Sequence, residues 1–158
     1  MRKAEAYKTI HGQILAVLDG ETNQIAQMAT ISCLLSLAFP DRFFWTGFYV
    51  VDPQNPEELV VGPYQGTLGC LRIQFGRGVC GTAAQTKQTQ IVDDVHAIQN
   101  HIACDALTNS EIVVPVVDGD GNLIAVFDVD STSKAAFDIE DQQWLEKIIN
   151  DIFAPIED

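Results

Sequence analysis

Three cysteines, Cys70, Cys80 and Cys104, carry the chemistry most directly readable in this chain. Their contexts are QGTLGCLRI, FGRGVCGTAA and HIACDALTNSE, so each thiol borders a glycine or a carboxylate rather than an apolar run. Turn-like settings of this kind leave a thiol accessible and free to change partners, whereas Cys33, in TISCLLSLAF, has the apolar surroundings of a structural cysteine. Thiol redox chemistry is therefore the first expectation. Cys80 follows a glycine-rich turn at the start of an expected helix, where thiol pKa values fall, so spacing alone marks it as a candidate nucleophile. The stretch Gly76-Arg77-Gly78-Val79-Cys80-Gly81 is no phosphate loop, because the Gly-Lys-Ser/Thr that such a loop needs is missing. The spacing C-x9-C-x23-C, with His96 and His101 before the last cysteine, matches no pattern of closely paired zinc ligands, and no metal is expected. His96 and His101 are placed to act as bases near Cys104; the alternative is two loop histidines tied to the backbone by structural hydrogen bonds.

Composition narrows the setting. The chain has 158 residues, nearly half of them apolar, which suits one domain over 1–158 with one core. The net charge of −13 and the lack of any Lys/Arg cluster argue against nucleic acid and anionic membrane surfaces as partners. No apolar run approaches a membrane span and the N-terminus has no signal-peptide core, so a cytoplasmic protein is expected. In a reducing compartment the four cysteines are not a permanent disulfide framework.

The elements that must position the thiols follow from periodicity. A helix is expected over 3–18, with Tyr7, Ile10, Ile14 and Val17 on one face, and is a candidate homodimer surface. Thr22 is read as the cap of a second helix reaching Ala38. Strands follow at 43–51, 59–62, 71–73 and 90–92, with a helix over 79–86 between the last two. Residues 93–110 show no period, and a loop that long inside a domain is often functional. Strands at 111–117 and 123–130 flank the hairpin turn Asp118-Gly119-Asp120-Gly121, and Asp138 caps a final helix. This order is an α+β domain with one mainly antiparallel sheet.

The strands themselves suggest a pocket. Alternation puts Leu123, Ala125, Phe127 and Val129 on one face, expected to lie under helices, and Ile124, Val126, Asp128 and Asp130 on the other. A face that is apolar at one end and acidic at the other suits a small polar ligand, unless the two aspartates simply leave the sheet as caps. Trp45 and Tyr49 share a face of their own strand and could wall such a pocket, although core packing is the ordinary use of paired aromatics.

The segments ETNQIAQMAT, FFWTGFYVVD, QGTLGCLRIQFGRGVCGTAA, IVDDVHAIQNHIACDALTNSEIVVPV and FDVDS resemble the free methionine-(R)-sulfoxide reductases, a stand-alone catalytic branch of the GAF domains. The likeness covers residues 21–132 and departs only at Cys33 and at Thr108. It implies a GAF-like sheet with helices on one face and a small-ligand pocket on the other. It implies Cys104 as the nucleophile, Cys70 as the resolving thiol and Cys80 as an auxiliary thiol. It implies a substrate site of Trp45, Tyr49, Glu111, Asp128 and Asp130, free L-methionine-(R)-sulfoxide as substrate, thioredoxin as reductant and no cofactor. Such a reaction needs one thiol, one acid and one resolving thiol. Carboxylates beside a thiol weaken it as a nucleophile, so the reading requires a neutral carboxyl group in the pocket or the charge of a substrate ammonium. The competing reading is a sensory GAF module that binds a small ligand or reports redox state. It is set against the absence of any output segment or cyclic-nucleotide signature in this chain.

Overall fold

The computed structural model describes residues 2–100 and 104–156; His101 lies outside them. Helices α1 (Lys3–Val17) and α2 (Gln24–Ala38) are followed by strands β1 (Trp45–Asp52), β2 (Asn55–Gln65) and β3 (Arg72–Gln74). Helix α3 (Gly78–Thr86) leads to β4 (Gln90–Val92), a 3-10 turn at Val95–Ala97, β5 (Ser110–Val117), β6 (Leu123–Ser131) and α4 (Ile139–Phe153). The six strands form one sheet in the order β3-β2-β1-β6-β5-β4, with every neighbouring pair antiparallel. No described helix is long and apolar enough to cross a membrane.

The sheet has two unlike faces. Phe48, Ile112, Val114, Val116, Ala125, Phe127 and Val129 point to α1, α2 and α4 and form the larger core. The opposite face carries Trp45, Tyr49, Val113 and Val126, and α3 packs there through Val79, Cys80, Ala83 and Ala84. The core face under α1, α2 and α4 and the opposite pocket face are the two faces expected. One helix lies on the pocket side, because the β3–β4 connection crosses that face and α3 turns its small residues down onto the strands.

Four local expectations are corrected. Asn23 rather than Thr22 caps α2, since its side chain accepts from the Ala26 amide at 3.0 Å. Val17 is 57 % exposed while Leu18, the residue that ends α1, is buried. The strand expected at 59–62 runs over eleven residues; Pro56, Gly62 and Pro63 interrupt the alternation that would have revealed its length. In β6 the alternation holds for Ala125, Phe127 and Val129, but Ile124 joins them and Leu123 turns to the other side. The pairing Val116–Ala125 is followed by Val117–Leu123, so a bulge at Ile124 reverses the parity.

The hairpin turn and the final cap are as expected. Asp118 accepts from the amides of Asp120 and Asn122, and Gly121 supplies a φ of +84°. Asp138 and Asp141 form a reciprocal capping box at the start of α4. Between β1 and β2, Gly47 lies opposite Tyr64 so closely that a Cβ there would collide with the tyrosine's own. That approach lets Tyr64 stack on Trp45 at 4.9 Å.

Candidate active site

Register builds the floor of the site. Trp45 on β1 pairs with Asp130 on β6, and Asp130 pairs with Glu111 on β5, so the three stand in one row across the sheet. Asp128 lies in the next row, between Gly47 and Val113. Tyr49, two residues beyond Gly47, stacks on Trp45 at 5.4 Å, which leaves the indole between two tyrosine rings. The indole N–H donates to the Thr67 carbonyl at 2.9 Å, fixing the ring. A Cβ on Gly69 would come within 2.9 Å of the indole and 3.1 Å of the Tyr49 hydroxyl, so the loop before Cys70 is pressed onto this aromatic wall.

Helix α3 closes the side. Cys80 sits in its first turn, 4 % exposed, with Sγ 3.9 Å from Glu111 Oε2. Cys80, Glu111 and Asp128 bring Sγ and carboxylate oxygens within 4.8 Å of one another. Above them a disulfide joins Cys70 to Cys104, 34 residues apart in sequence, with a Cα–Cα distance of 5.4 Å. A second tie runs beside it: Thr67 Oγ1 donates to Asp105 Oδ2 at 2.6 Å. The enclosed space is about 40 Å³ and is bounded by Trp45, Tyr49, Cys80, Cys104 and the three carboxyl groups. That is room for a few waters.

The electrostatics follow from burial. Desolvation first, and then mutual repulsion, raise the pKa values of Glu111, Asp128 and Asp130. Three clustered carboxyl groups cannot all ionise, and they exchange hydrogen bonds with one another. The Oδ1 atoms of Asp128 and Asp130 are shielded from solvent and have no hydrogen-bond partner. The same forces act on Cys80, where burial and then Asp128, Glu111 and Asp130 push the thiol up. This reverses the expectation drawn from its helix N-terminus. A helix end contributes about 0.3–1 kcal/mol, against shifts of up to ~3–5 pKa units for full burial. Burial therefore outweighs the helix end at Cys80. Burial and the charge of Asp128 likewise raise the Tyr49 phenol.

Asp105, beside Cys104 in sequence, is turned away to Thr67 and to the Leu107 amide, and these bonds hold its carboxyl below the usual range. His96 is exposed, does not line the cavity and shares a ring hydrogen bond with the Asn109 side chain at 3.0 Å rather than with the backbone. Cys33 is free and half-buried in α2. Sequence reasoning missed Tyr64, Thr67 and Gly69. Their contribution is contact with Trp45 across β1–β2, and no spacing rule reports that.

A GAF domain family model matches residues 23–154. The free methionine-R-sulfoxide reductase of Escherichia coli is 43 % identical over 149 residues, spanning 94 % of this chain and 87 % of that protein. The protein of the same name from Saccharomyces cerevisiae is 44 % identical over 133 residues, spanning 82 % of this chain and 74 % of its own. The chain belongs to the free methionine-(R)-sulfoxide reductase family of GAF domains. The crystal structure of the Neisseria meningitidis free methionine-R-sulfoxide reductase with its substrate superimposes with a TM-score of 0.89 at 44 % identity. It covers 95 % of this chain and 87 % of that one.

Proposed function

We propose that this protein reduces free L-methionine-(R)-sulfoxide to L-methionine, with Cys104 as nucleophile and Cys70 as resolving thiol. One observation supports the pairing of the two thiols: Cys104, bonded to Cys70, lines a cavity together with three carboxyl groups whose pKa values are raised. The Cys104 thiolate attacks the sulfoxide sulfur. The sulfoxide oxygen takes a proton from a neutral carboxyl among Glu111, Asp128 and Asp130 and passes to Cys104 as a sulfenic acid, releasing methionine. Cys70 then displaces water from the sulfenic acid and forms the disulfide.

The carboxyl groups have two tasks. One stays neutral and gives the proton. The others, with shielded and unpartnered oxygens on Asp128 and Asp130, receive the substrate ammonium. A free amino acid brings that ammonium and an internal residue of a chain does not. Trp45 and Tyr49 wall the S-methyl side. Cys80 lines the same cavity and is assigned the auxiliary place in disulfide exchange.

Thioredoxin is the reductant we assign. Cys104 is exposed, and Leu68, Leu71 and Leu107 stand 79 %, 71 % and 60 % exposed in the two segments that the disulfide joins. An apolar rim around a reachable disulfide suits a partner that must press a thiolate onto one sulfur. A homodimer would use the exposed Leu15 and Val17 of α1, a surface outside the reaction steps.

The test is NADPH consumption coupled through thioredoxin and thioredoxin reductase. Free (R)-sulfoxide is expected to turn over, while the (S) epimer and a peptide-bound sulfoxide do not, and Cys104→Ser is expected to be inactive. Cys70→Ser is expected to yield one methionine per chain and then stop. No turnover of any sulfoxide by folded, reduced protein would overturn the reading and leave a sensory GAF module.

A further inference from the structure

The cluster of Cys80, Glu111 and Asp128 has a ligand chemistry that the reductase reaction does not use. We propose that it is a binding site for a thiophilic divalent cation of the zinc class, held by Cys80 Sγ and the carboxylates of Glu111 and Asp128.

Three observations support the site. The donor atoms already converge: Sγ, one oxygen of Glu111 and one of Asp128 lie within 4.8 Å of one another, and the Cys80–Glu111 pair is at 3.9 Å. Ligands around a tetrahedral zinc are roughly 3.3–3.7 Å apart, given metal–sulfur and metal–oxygen bonds of about 2.3 and 2.0 Å. Closing the set shortens the widest separation by roughly 1–1.5 Å, a distance within reach of side-chain rotation. Second, Asp128 is 3 % exposed, its Oδ1 has no hydrogen-bond partner, and it borders the cavity. A buried carboxylate oxygen with no donor is what an incoming cation would satisfy. Third, the set mixes a sulfur with two oxygens and leaves the cavity at the fourth position. Sulfur selects against magnesium and calcium, which take oxygen ligands, and favours zinc.

The ligands come from α3, β5 and β6, with 30 residues between Cys80 and Glu111, so no closely spaced ligand pair reveals the site in sequence. Binding puts two positive charges where the substrate ammonium is placed under the proposed function, so cation and sulfoxide exclude one another. That exclusion rests on the reductase reading; the cation site does not.

The test uses the disulfide form, in which Cys70 and Cys104 are bonded and Cys33 and Cys80 are the free thiols. Cobalt(II) chloride serves as the spectroscopic probe. The expected result is a near-ultraviolet sulfur-to-cobalt charge-transfer band that saturates at one equivalent per chain and is displaced by zinc. The band should persist in Cys33→Ser and vanish in Cys80→Ser, and Asp128→Asn should weaken cobalt binding at least tenfold. Near-ultraviolet circular dichroism checks that each variant is folded. No band at millimolar cobalt, or a band that survives Cys80→Ser, would overturn the proposal. Neither result touches the metal-free reductase assay, so the two readings fail separately.

Discussion

Two buried carboxyl groups, Asp141 and Asp128, show how differently the two sides of the sheet are built. Asp141 lies on the helical side, fully buried, and accepts from the Tyr7 hydroxyl at 2.6 Å, Lys3 Nζ at 2.9 Å, Arg42 Nη1 at 3.0 Å and the Asp138 amide at 3.0 Å. Those donors tie α1, the α2–β1 turn and α4 together around one charge. Asp128 lies on the pocket side, almost as deeply buried, with two acidic neighbours and one oxygen that nothing satisfies. A fold tolerates the first arrangement because each lost contact with water is replaced. It tolerates the second only as an expense borne elsewhere, and such a group is a marker of function. Burial alone therefore does not separate structural from chemical residues here; the supply of donors does.

The comparison predicts opposite phenotypes for one substitution. Asp128→Asn should lower kcat/KM for the free sulfoxide by ~10²–10³-fold, the weight of losing one partner of a desolvated charge pair with the substrate ammonium, with thermal stability unchanged or higher. Asp141→Asn should cost about 3 kcal/mol of unfolding free energy in urea, the low end for a broken buried ion pair because Lys3 and Arg42 keep some solvent. Its kcat per folded molecule should not change. If both variants lost activity in proportion to stability, the division between the two sides would fail.

The pH dependence of stability sharpens the same division. Glu111, Asp128 and Asp130 have folded pKa values raised by burial and mutual repulsion, so the native state holds protons that the unfolded chain releases above about pH 4. Their contribution is full at acid pH and is lost as pH rises through the folded values. Asp138 is the opposite case: its hydrogen bond from Lys3 lowers its pKa, so its contribution is present above the unfolded value and lost as pH falls. Urea unfolding from pH 4 to pH 8 should show a decline toward high pH that the double variant Glu111→Gln/Asp128→Asn flattens. A decline that persists in the double variant would place its source outside the pocket. The smallest expected effect is Asp138→Ala, which removes a capping side chain and should cost about 1 kcal/mol with the reaction untouched.

Legibility in the sequence followed the range of the interactions. The final helix and its Asp138 cap, the Asp118–Gly121 turn and the 90–92 strand depend on neighbours a few residues away, and each stands where local reading puts it. Asn23 displaced Thr22 as a cap because only the observed backbone brings its side chain to the Ala26 amide. The length of β2 and the bulge at Ile124 were hidden for a related reason: pairing with β1 and β5 sets them, and their own alternation does not.

By itself the sequence determined which groups are available: three thiols outside apolar runs, an acidic strand end, an aromatic pair two residues apart and the resemblance that ranks Cys104 first. Those are properties of residue type and local order. Only the tertiary structure decided that Trp45, Asp130 and Glu111 share one row, and it set the geometry of the bond across 34 residues between Cys70 and Cys104 that the resemblance implies. It alone decided that Cys80 is buried against Glu111 and Asp128, and so that its thiol is pushed up where the helix end had suggested the reverse. The physical reason is common to all three: register and desolvation arise between segments distant in the chain, and they outweigh the local terms that a sequence displays.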